Sequence, residues 1–105
     1  MRYNLIEITE DGLATIVAAV TGCKIRVISY MITTSGANVL VWKSDSTAIS
    51  GPLAISNTLQ DGQAGAPAPT GMLGILETAS GEALKLEVGS DTTIGGYLTY
   101  ITVAT

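Results

Sequence analysis

The 105-residue sequence contains no histidine and no phenylalanine, one tryptophan and one cysteine. Without histidine, the chain lacks the commonest general base and the commonest metal ligand of proteins. The single cysteine, Cys23, rules out an intrachain disulfide, and a reactive thiol would need a basic neighbour that the sequence does not supply. We therefore expect Cys23 to be an inert buried thiol, and we expect no histidine-based catalytic or metal site.

Charge is also scarce, at 13% of residues against about 25% in typical soluble proteins. The net charge is -4, and the five Lys and Arg residues form no basic run that could displace counterions from nucleic acid. No apolar run approaches the roughly 20 residues of a membrane span, and the first residues lack a signal-peptide pattern. We expect no nucleic-acid or membrane partner. The large neutral surface indicates either burial in an assembly or a Thr/Ser-faced sandwich that stands alone.

Hydrophobic residues, 47% of the chain, occur in short runs with turn signals about every 8–12 residues. Residues 13–20 could be helix or strand by composition, but their β-branched residues favour a strand. Residues 57–71 are small, polar and rich in Pro and Gly, which predicts a loop. The predicted strands cover 3–9, 13–20, 23–33, 37–44, 47–50, 53–56, 83–88 and 92–105, with a short apolar run at 72–76.

This pattern predicts one all-β domain over residues 1–105, an antiparallel β-sandwich of jelly-roll type with about eight short strands. No convincing helix appears, so a parallel α/β architecture is set aside. Leu84, Leu86 and Val88 should point inward, with Lys85 and Glu87 outward. The Gly-Gly pair in the last strand predicts a bulge or a close backbone approach.

The run 24–32 and the following run 39–43 are apolar on both faces when read with period two. We assign Ile25, Val27 and Met31 to the sandwich core, and we expect the opposite face to need a second cover from another copy of the protein. We also expect the two runs to pair as an antiparallel hairpin, with Lys24 and Arg26 where the interface meets water. The residues predicted to form the oligomer interface are Ile28, Tyr30, Ile32, Leu40, Trp42 and Tyr100.

The remaining polar residues do not form a recognisable catalytic or metal motif. Glu77 and Glu82 bracket a turn and could form a glycosidase pair, but we favour the alternative that they are two separate solvated carboxylates. Calcium ligands from Asp45, Ser46 and Asp61 or Asp91 lack any EF-hand spacing. We predict no enzyme, no metal and no cofactor. A core or interface position is favoured for Trp42, although an exposed, ligand-stacking position stays open.

Three segments carry a resemblance to a known class of protein. They are Trp-Lys-Ser-x-Ser-Thr-Ala-Ile-Ser-Gly-Pro-Leu at 42–53, Glu-Thr-Ala-Ser-Gly-Glu-Ala-Leu-Lys-Leu at 77–86, and Gly-Gly-Tyr-Leu-Thr-Tyr-Ile-Thr-Val at 95–103. Together with the central strand they cover less than half of the chain. In general character they resemble small structural proteins of tailed phages, in particular jelly-roll head decoration (cement) proteins.

The resemblance implies a trimer on the outer capsid surface, made in the host cytoplasm, that clamps neighbouring copies of the major capsid protein. The first strand or the 57–71 loop would then reach the capsid. The residues predicted to contact the capsid are Tyr3, Leu5, Leu59, Gln60, Pro67 and Pro69.

Two other functions remain open at this point. A receptor- or glycan-binding module of a phage fibre or tail would show an exposed Trp42 or exposed tyrosines around a concave polar patch. A small carbohydrate-active enzyme would need two carboxylates close together.

Overall fold

A computed structural model describes residues 2–55, 62–66 and 75–105, and these residues form ten β-strands and no helix. None of the described residues forms a helix that is long and apolar enough to cross a membrane. The all-β prediction is confirmed. The strands are β1 (Arg2–Ile8), β2 (Gly12–Val17), β3 (Cys23–Thr34), β4 (Asn38–Ser44), β5 (Thr47–Ala48), β6 (Leu53–Ile55), β7 (Gly62–Ala66), β8 (Leu76–Glu77), β9 (Leu84–Val88) and β10 (Ile94–Ala104).

The strands form two antiparallel sheets. Sheet A has the order β1-β10-β3-β7, and β8 also pairs with β3; sheet B has the order β2-β9-β4-β5, and β6 also pairs with β4. Strands β5 and β6 both pair with β4, and β7 and β8 both pair with β3. If each of these two pairs is counted as one strand position, the chain has eight strand positions in sequence. The first position then pairs with the eighth, the second with the seventh, the third with the sixth and the fourth with the fifth. This nested pairing is a jelly roll, as predicted.

The core lies between the two sheets and consists of aliphatic side chains around one tryptophan and one tyrosine. Strand β9 has the predicted alternation, since Leu84, Leu86 and Val88 are buried while Lys85 and Glu87 are half-buried. The buried cluster contains Ile6, Val17, Ile25, Val27, Ile32, Leu40, Trp42, Ile55, Leu84, Leu86, Val88, Ile94, Leu98 and Tyr100.

A β-bulge in β3 explains why its sequence is apolar on both faces. The register with β10 shifts between Thr99 and Tyr100, and Ile28 has no Cα partner on β10. An extra residue reverses which positions face the core, so Val27 is buried before the bulge and Ile32 after it. Met31 is 37% exposed. Its assignment to the core was therefore wrong, because the period-two pattern does not continue through the bulge.

Two other predictions about the chain path need correction. Strand β3 lies in sheet A and β4 in sheet B, so they do not form a hairpin and instead face each other across the core. The predicted 57–71 loop contains β7, which pairs with residues 30–34 of β3. The rest of that predicted loop lies outside the described residues.

The Gly-Gly pair in β10 marks a close backbone approach. Gly96 has φ +141°, and a Cβ there would lie 1.9 Å from the carbonyl oxygen of Met31 on β3. Only glycine fits this position, because any side chain would collide with the neighbouring backbone. The bulge in β3 lies elsewhere, where the register with β10 shifts between Thr99 and Tyr100.

Candidate interaction surface

Most residues predicted to form the oligomer interface are buried inside one protomer. Ile32, Leu40 and Trp42 have no exposed surface, and Tyr100 is buried with them in the core. Ile28 is also buried, at the bulge, but lies outside that cluster. A side chain that is already covered by its own chain has no surface to offer a partner. The interface prediction is therefore wrong for these five residues.

The sixth residue, Tyr30, is half-buried and packs against the core. Its ring meets the Trp42 ring edge to face, with the ring centroids 5.2 Å apart and an interplanar angle of 61°. This arrangement is a favourable one for aromatic pairs. Trp42 is thus a core residue, and the alternative of an exposed, ligand-stacking tryptophan is excluded.

Two of the predicted capsid-contact residues are fully available to a partner. Tyr3 is 68% exposed and Leu5 is 70% exposed, and both lie on the outward face of β1. The other four candidates, Leu59, Gln60, Pro67 and Pro69, lie outside the described residues.

The strand register brings Leu5 together with two exposed residues that the sequence analysis did not connect with it. Leu5 is the register partner of Tyr97 on β10, and Tyr97 is the register partner of Met31 on β3. Tyr97 is 48% exposed. Directly opposed residues on one face of a sheet are in side-chain contact range. We call Leu5, Tyr97 and Met31 the apolar row; it crosses three strands on the outer face of sheet A.

Small or polar residues border the apolar row on both sides, except for the large ring of Tyr3. On one side, Tyr3 is followed across the sheet by Thr99 and Ser29, whose hydroxyl groups are 2.7 Å apart. On the other side, Glu7 is paired with Gly95 and Gly95 with Thr33. An apolar centre with a polar border is the usual composition of a protein–protein interface.

A cluster of three charged residues, Lys24, Arg26 and Glu77, lies at the far end of the same face. The Glu77 carboxylate on β8 is 3.4 Å from the Arg26 guanidinium and 3.9 Å from the Lys24 amine. These ion pairs are partly exposed and contribute little to stability. They do place the basic side chains away from the apolar row.

The outer face of sheet B is different in character. Lys43 of β4 forms an ion pair with Glu87 of β9, and Lys85 is the register partner of Lys43. Leu13 on β2 and Val39 on β4 are exposed apolar residues there. Glu87 of β9 is the register partner of Leu13 on β2 and of Val41 on β4. This charged residue therefore separates the apolar residues of the two neighbouring strands.

Glu77 and Glu82, the two carboxylates considered as a glycosidase pair, have different partners. Glu77 contacts Lys24 and Arg26, whereas Glu82 accepts a hydrogen bond from Ser44 at 2.5 Å. Among the described residues, no group of three or more carboxylate or cysteine side chains is placed to hold a metal ion.

The acidic residues that were considered as calcium ligands accept other hydrogen bonds. The Asp45 carboxylate accepts a hydrogen bond from the Ala83 amide, and the Asp91 carboxylate accepts one from the Asp11 amide. Asp61, the remaining acidic candidate, lies outside the described residues. Cys23 is half-buried, less covered than expected.

An open groove of about 520 Å³ lies beside β4 and β6. The described residues that line it are mostly small or aliphatic, with Asn38 and Ser90 as the polar ones, and none of them is aromatic. Sugar recognition commonly uses an aromatic face, and this groove has none to offer. The residues that line it are Ala37, Asn38, Val39, Ala54, Ile55, Gly89 and Ser90.

No protein-family model, curated protein or solved structure matches this chain. The jelly-roll fold, the apolar row and the resemblance in short segments are therefore the observations from which a function can be inferred.

Proposed function

We propose that this chain is a structural protein of a phage virion, a capsid decoration (cement) protein that binds the outer surface of the head. Its partner is the major capsid protein, and it acts by holding neighbouring capsid subunits together. The resemblance in short segments and the jelly-roll fold support this proposal. The fold alone does not decide the matter, because jelly rolls serve both as capsid and as lectin domains.

The observation that carries the proposal is the apolar row on sheet A. Exposed apolar surface is a cost in solution, and a contiguous patch with a polar border is typical of a surface that another protein covers. Burying it contributes about 25 cal/mol per Å² of apolar area removed from water, which offsets the entropic cost of association. Repeated over many copies, such contacts strengthen the joints between capsid subunits.

The predicted interface gives no support to a trimer. It was expected at six residues: Tyr30 is half-buried, and Ile28, Ile32, Leu40, Trp42 and Tyr100 are buried within one protomer. Any oligomer must therefore form through other residues. Multivalent binding to the capsid requires only that several copies be joined, in an oligomer of any size.

The glycan- or receptor-binding alternative has less support. It requires an exposed Trp42 or tyrosines around a concave polar patch, but Trp42 is buried and the groove beside β6 has no aromatic lining. Tyr3 and Tyr97 are exposed, but they lie on the outer face of sheet A among aliphatic and small residues.

The proposal is tested with capsids assembled without this protein. Purified protein should co-sediment with them and raise their melting temperature. The double variant Tyr97→Ser/Met31→Ser removes apolar surface without touching the core, and it should lose most of the binding. The matched control is Leu13→Ser, an exposed apolar residue on sheet B, which should bind as the wild type does. Failure of the wild-type protein to bind, or equal binding by the double variant, would contradict the proposal.

A further inference from the structure

Strand β1 is an exposed sheet edge without the usual protection. All seven of its residues pair with β10 in one uninterrupted register, and its other edge pairs with no described strand. Natural edge strands are usually shortened, bulged, or guarded by lysine or proline, because a bare edge pairs with another chain. The outward side chains of β1 are Tyr3, Leu5 and Glu7, of which two are large and apolar.

The other edges of the described sandwich are shorter or interrupted. Strand β2 has a register shift between Thr15 and Val17, which disrupts its edge. Strands β5, β6 and β8 are only two or three residues long, and β7, at the opposite end of sheet A from β1, has five residues. The connection between β5 and β6 contains Pro52, which cannot donate a backbone hydrogen bond. Among the described strands, β1 is therefore the longest uninterrupted edge.

The position of β1 is held from inside the sandwich. The Asn4 side-chain amide donates a hydrogen bond of 3.0 Å to the carbonyl oxygen of Ile16 on β2. Ile6 is buried in the core beneath the strand. Anchored in this way, β1 presents a rigid edge, so pairing with another strand would cost little additional ordering.

We propose that β1 pairs antiparallel with β1 of a second copy, about a twofold axis through Leu5. This register pairs the whole strand, Arg2 with Ile8 and Leu5 with Leu5. It joins the two apolar rows into one, which runs Met31, Tyr97 and Leu5 of one copy, then Leu5, Tyr97 and Met31 of the other. It also places Tyr3 opposite Glu7 of the second copy, where the phenol can donate to the carboxylate.

Other registers are less complementary. A shift by one residue would set outward side chains of one copy against inward side chains of the other, which the pleat of a sheet does not allow. A shift by two residues would set Tyr3 opposite Leu5, but it pairs only residues 2–6. The register centred on Leu5 is the one that uses the full strand. This dimer does not depend on the capsid function, although its continuous apolar row would give the capsid a wider docking surface.

The register is tested by disulfide trapping in a Cys23→Ser background. Leu5→Cys should form a covalent dimer under mild oxidation, because the two Cβ atoms are directly opposed on neighbouring strands. Tyr3→Cys should not, because Tyr3 faces Glu7 and lies far from the second Tyr3. Leu13→Cys controls for random collision, since Leu13 is also an exposed leucine on an edge strand.

Sedimentation equilibrium tests the dimer itself. The wild-type protein should sediment at twice the chain mass of 10.8 kDa, and Leu5→Lys should sediment at the chain mass. Leu13→Lys should remain dimeric. Circular dichroism would establish that both variants are folded, as their exposed positions predict.

A wild-type monomer or trimer at tens of micromolar would overturn the inference, and so would trapping of Leu13→Cys as efficiently as Leu5→Cys. These outcomes are separate from the capsid test. A dimer that fails to bind capsids would refute the proposed function alone, whereas a monomer that binds them would refute the dimer alone.

Discussion

The ring of Tyr30 on β3 meets the ring of Trp42 on β4 edge to face, across the space between the two sheets. Trp42 has no exposed surface, and its indole nitrogen has no hydrogen-bond partner among the described residues. The ring contact therefore contributes to the stability of the sandwich through side-chain packing. It links the middle of sheet A to the middle of sheet B.

Replacing Trp42 should be costly in proportion to the volume removed. We expect Trp42→Ala to lower the free energy of unfolding by about 3–5 kcal/mol, because it empties a large core site. Trp42→Phe should cost clearly less, because it keeps a ring against Tyr30 and loses no hydrogen bond. Urea denaturation followed by far-ultraviolet circular dichroism measures both. Equal losses for the two variants would argue against packing as the dominant contribution.

Asn38 connects the start of β4 to the turn between β9 and β10. Its carboxamide oxygen accepts from the amides of Val39, Gly89 and Ser90, and its amide group donates to the Ser90 carbonyl oxygen and to the Thr92 hydroxyl group. Thr34 on β3 extends this network through a 2.9 Å contact with the Thr92 hydroxyl group. One buried amide thus holds together two loops at one end of the sandwich.

We expect Asn38→Ala to destabilise the fold by about 3 kcal/mol, since several hydrogen bonds worth about 0.5–1.5 kcal/mol each are lost together. Ser90→Ala is the matched control, because Ser90 joins the network through its backbone; its effect should stay within about 0.5 kcal/mol. Thermal and urea unfolding would measure the difference. A Ser90→Ala loss as large as that of Asn38→Ala would show that the side-chain amide is not the centre of the network.

The two neighbouring glycines of β10 should respond very differently to alanine. Gly96→Ala would place a Cβ within 1.9 Å of the Met31 carbonyl oxygen, so β10 and β3 must separate or the chain must fail to fold. At Gly95 the nearest atom to an added Cβ is the Thr33 hydroxyl oxygen, at an ordinary 3.6 Å. We expect Gly95→Ala to fold normally. Soluble yield and melting temperature measure both, and a stable Gly96→Ala protein would refute the close approach.

A charge at the bulge of β3 should abolish folding. Ile28 is almost fully buried, so Ile28→Asp would remove a carboxylate from water, which is costly. We expect an insoluble or unfolded chain, whereas Lys85→Ala on the outer face of sheet B should stay within about 0.5 kcal/mol of the wild type. Solubility and circular dichroism check the pair. A folded Ile28→Asp protein would place that side chain outside the protein interior.

The strands whose faces could be predicted from sequence are those with an unbroken alternation, such as β9 with Leu84, Leu86 and Val88. The path of β3 could not be predicted in the same way, because the bulge at Ile28 depends on the register with a strand about 70 residues later. Strand β7 gave no side-chain signal either. It is built from Gly, Ala and Gln, and it joins sheet A through backbone pairing.

The candidate surface was predictable only in part, for the same reason. Tyr3 and Leu5 were predicted as contact residues because the resemblance places the first strand against the capsid, but the grouping of Leu5 with Tyr97 and Met31 depends on two strand registers. No local pattern encodes which residues of distant strands lie side by side. The burial of Trp42 could likewise not be predicted, because a run that is apolar on both faces does not show which face lies in the interior.

The place of β10 in sheet A has a consequence for how the chain folds. Strands β1 and β3 become neighbours only through β10, and Arg2 pairs with Tyr100. Until residues 94–104 have been synthesised, sheet A lacks the strand that lies between β1 and β3, and β1 has no paired strand on either edge. Such long-range pairing folds slowly, on a timescale of about milliseconds to seconds. While β1 is unpaired on both edges, it is a site at which the folding chain is prone to aggregate.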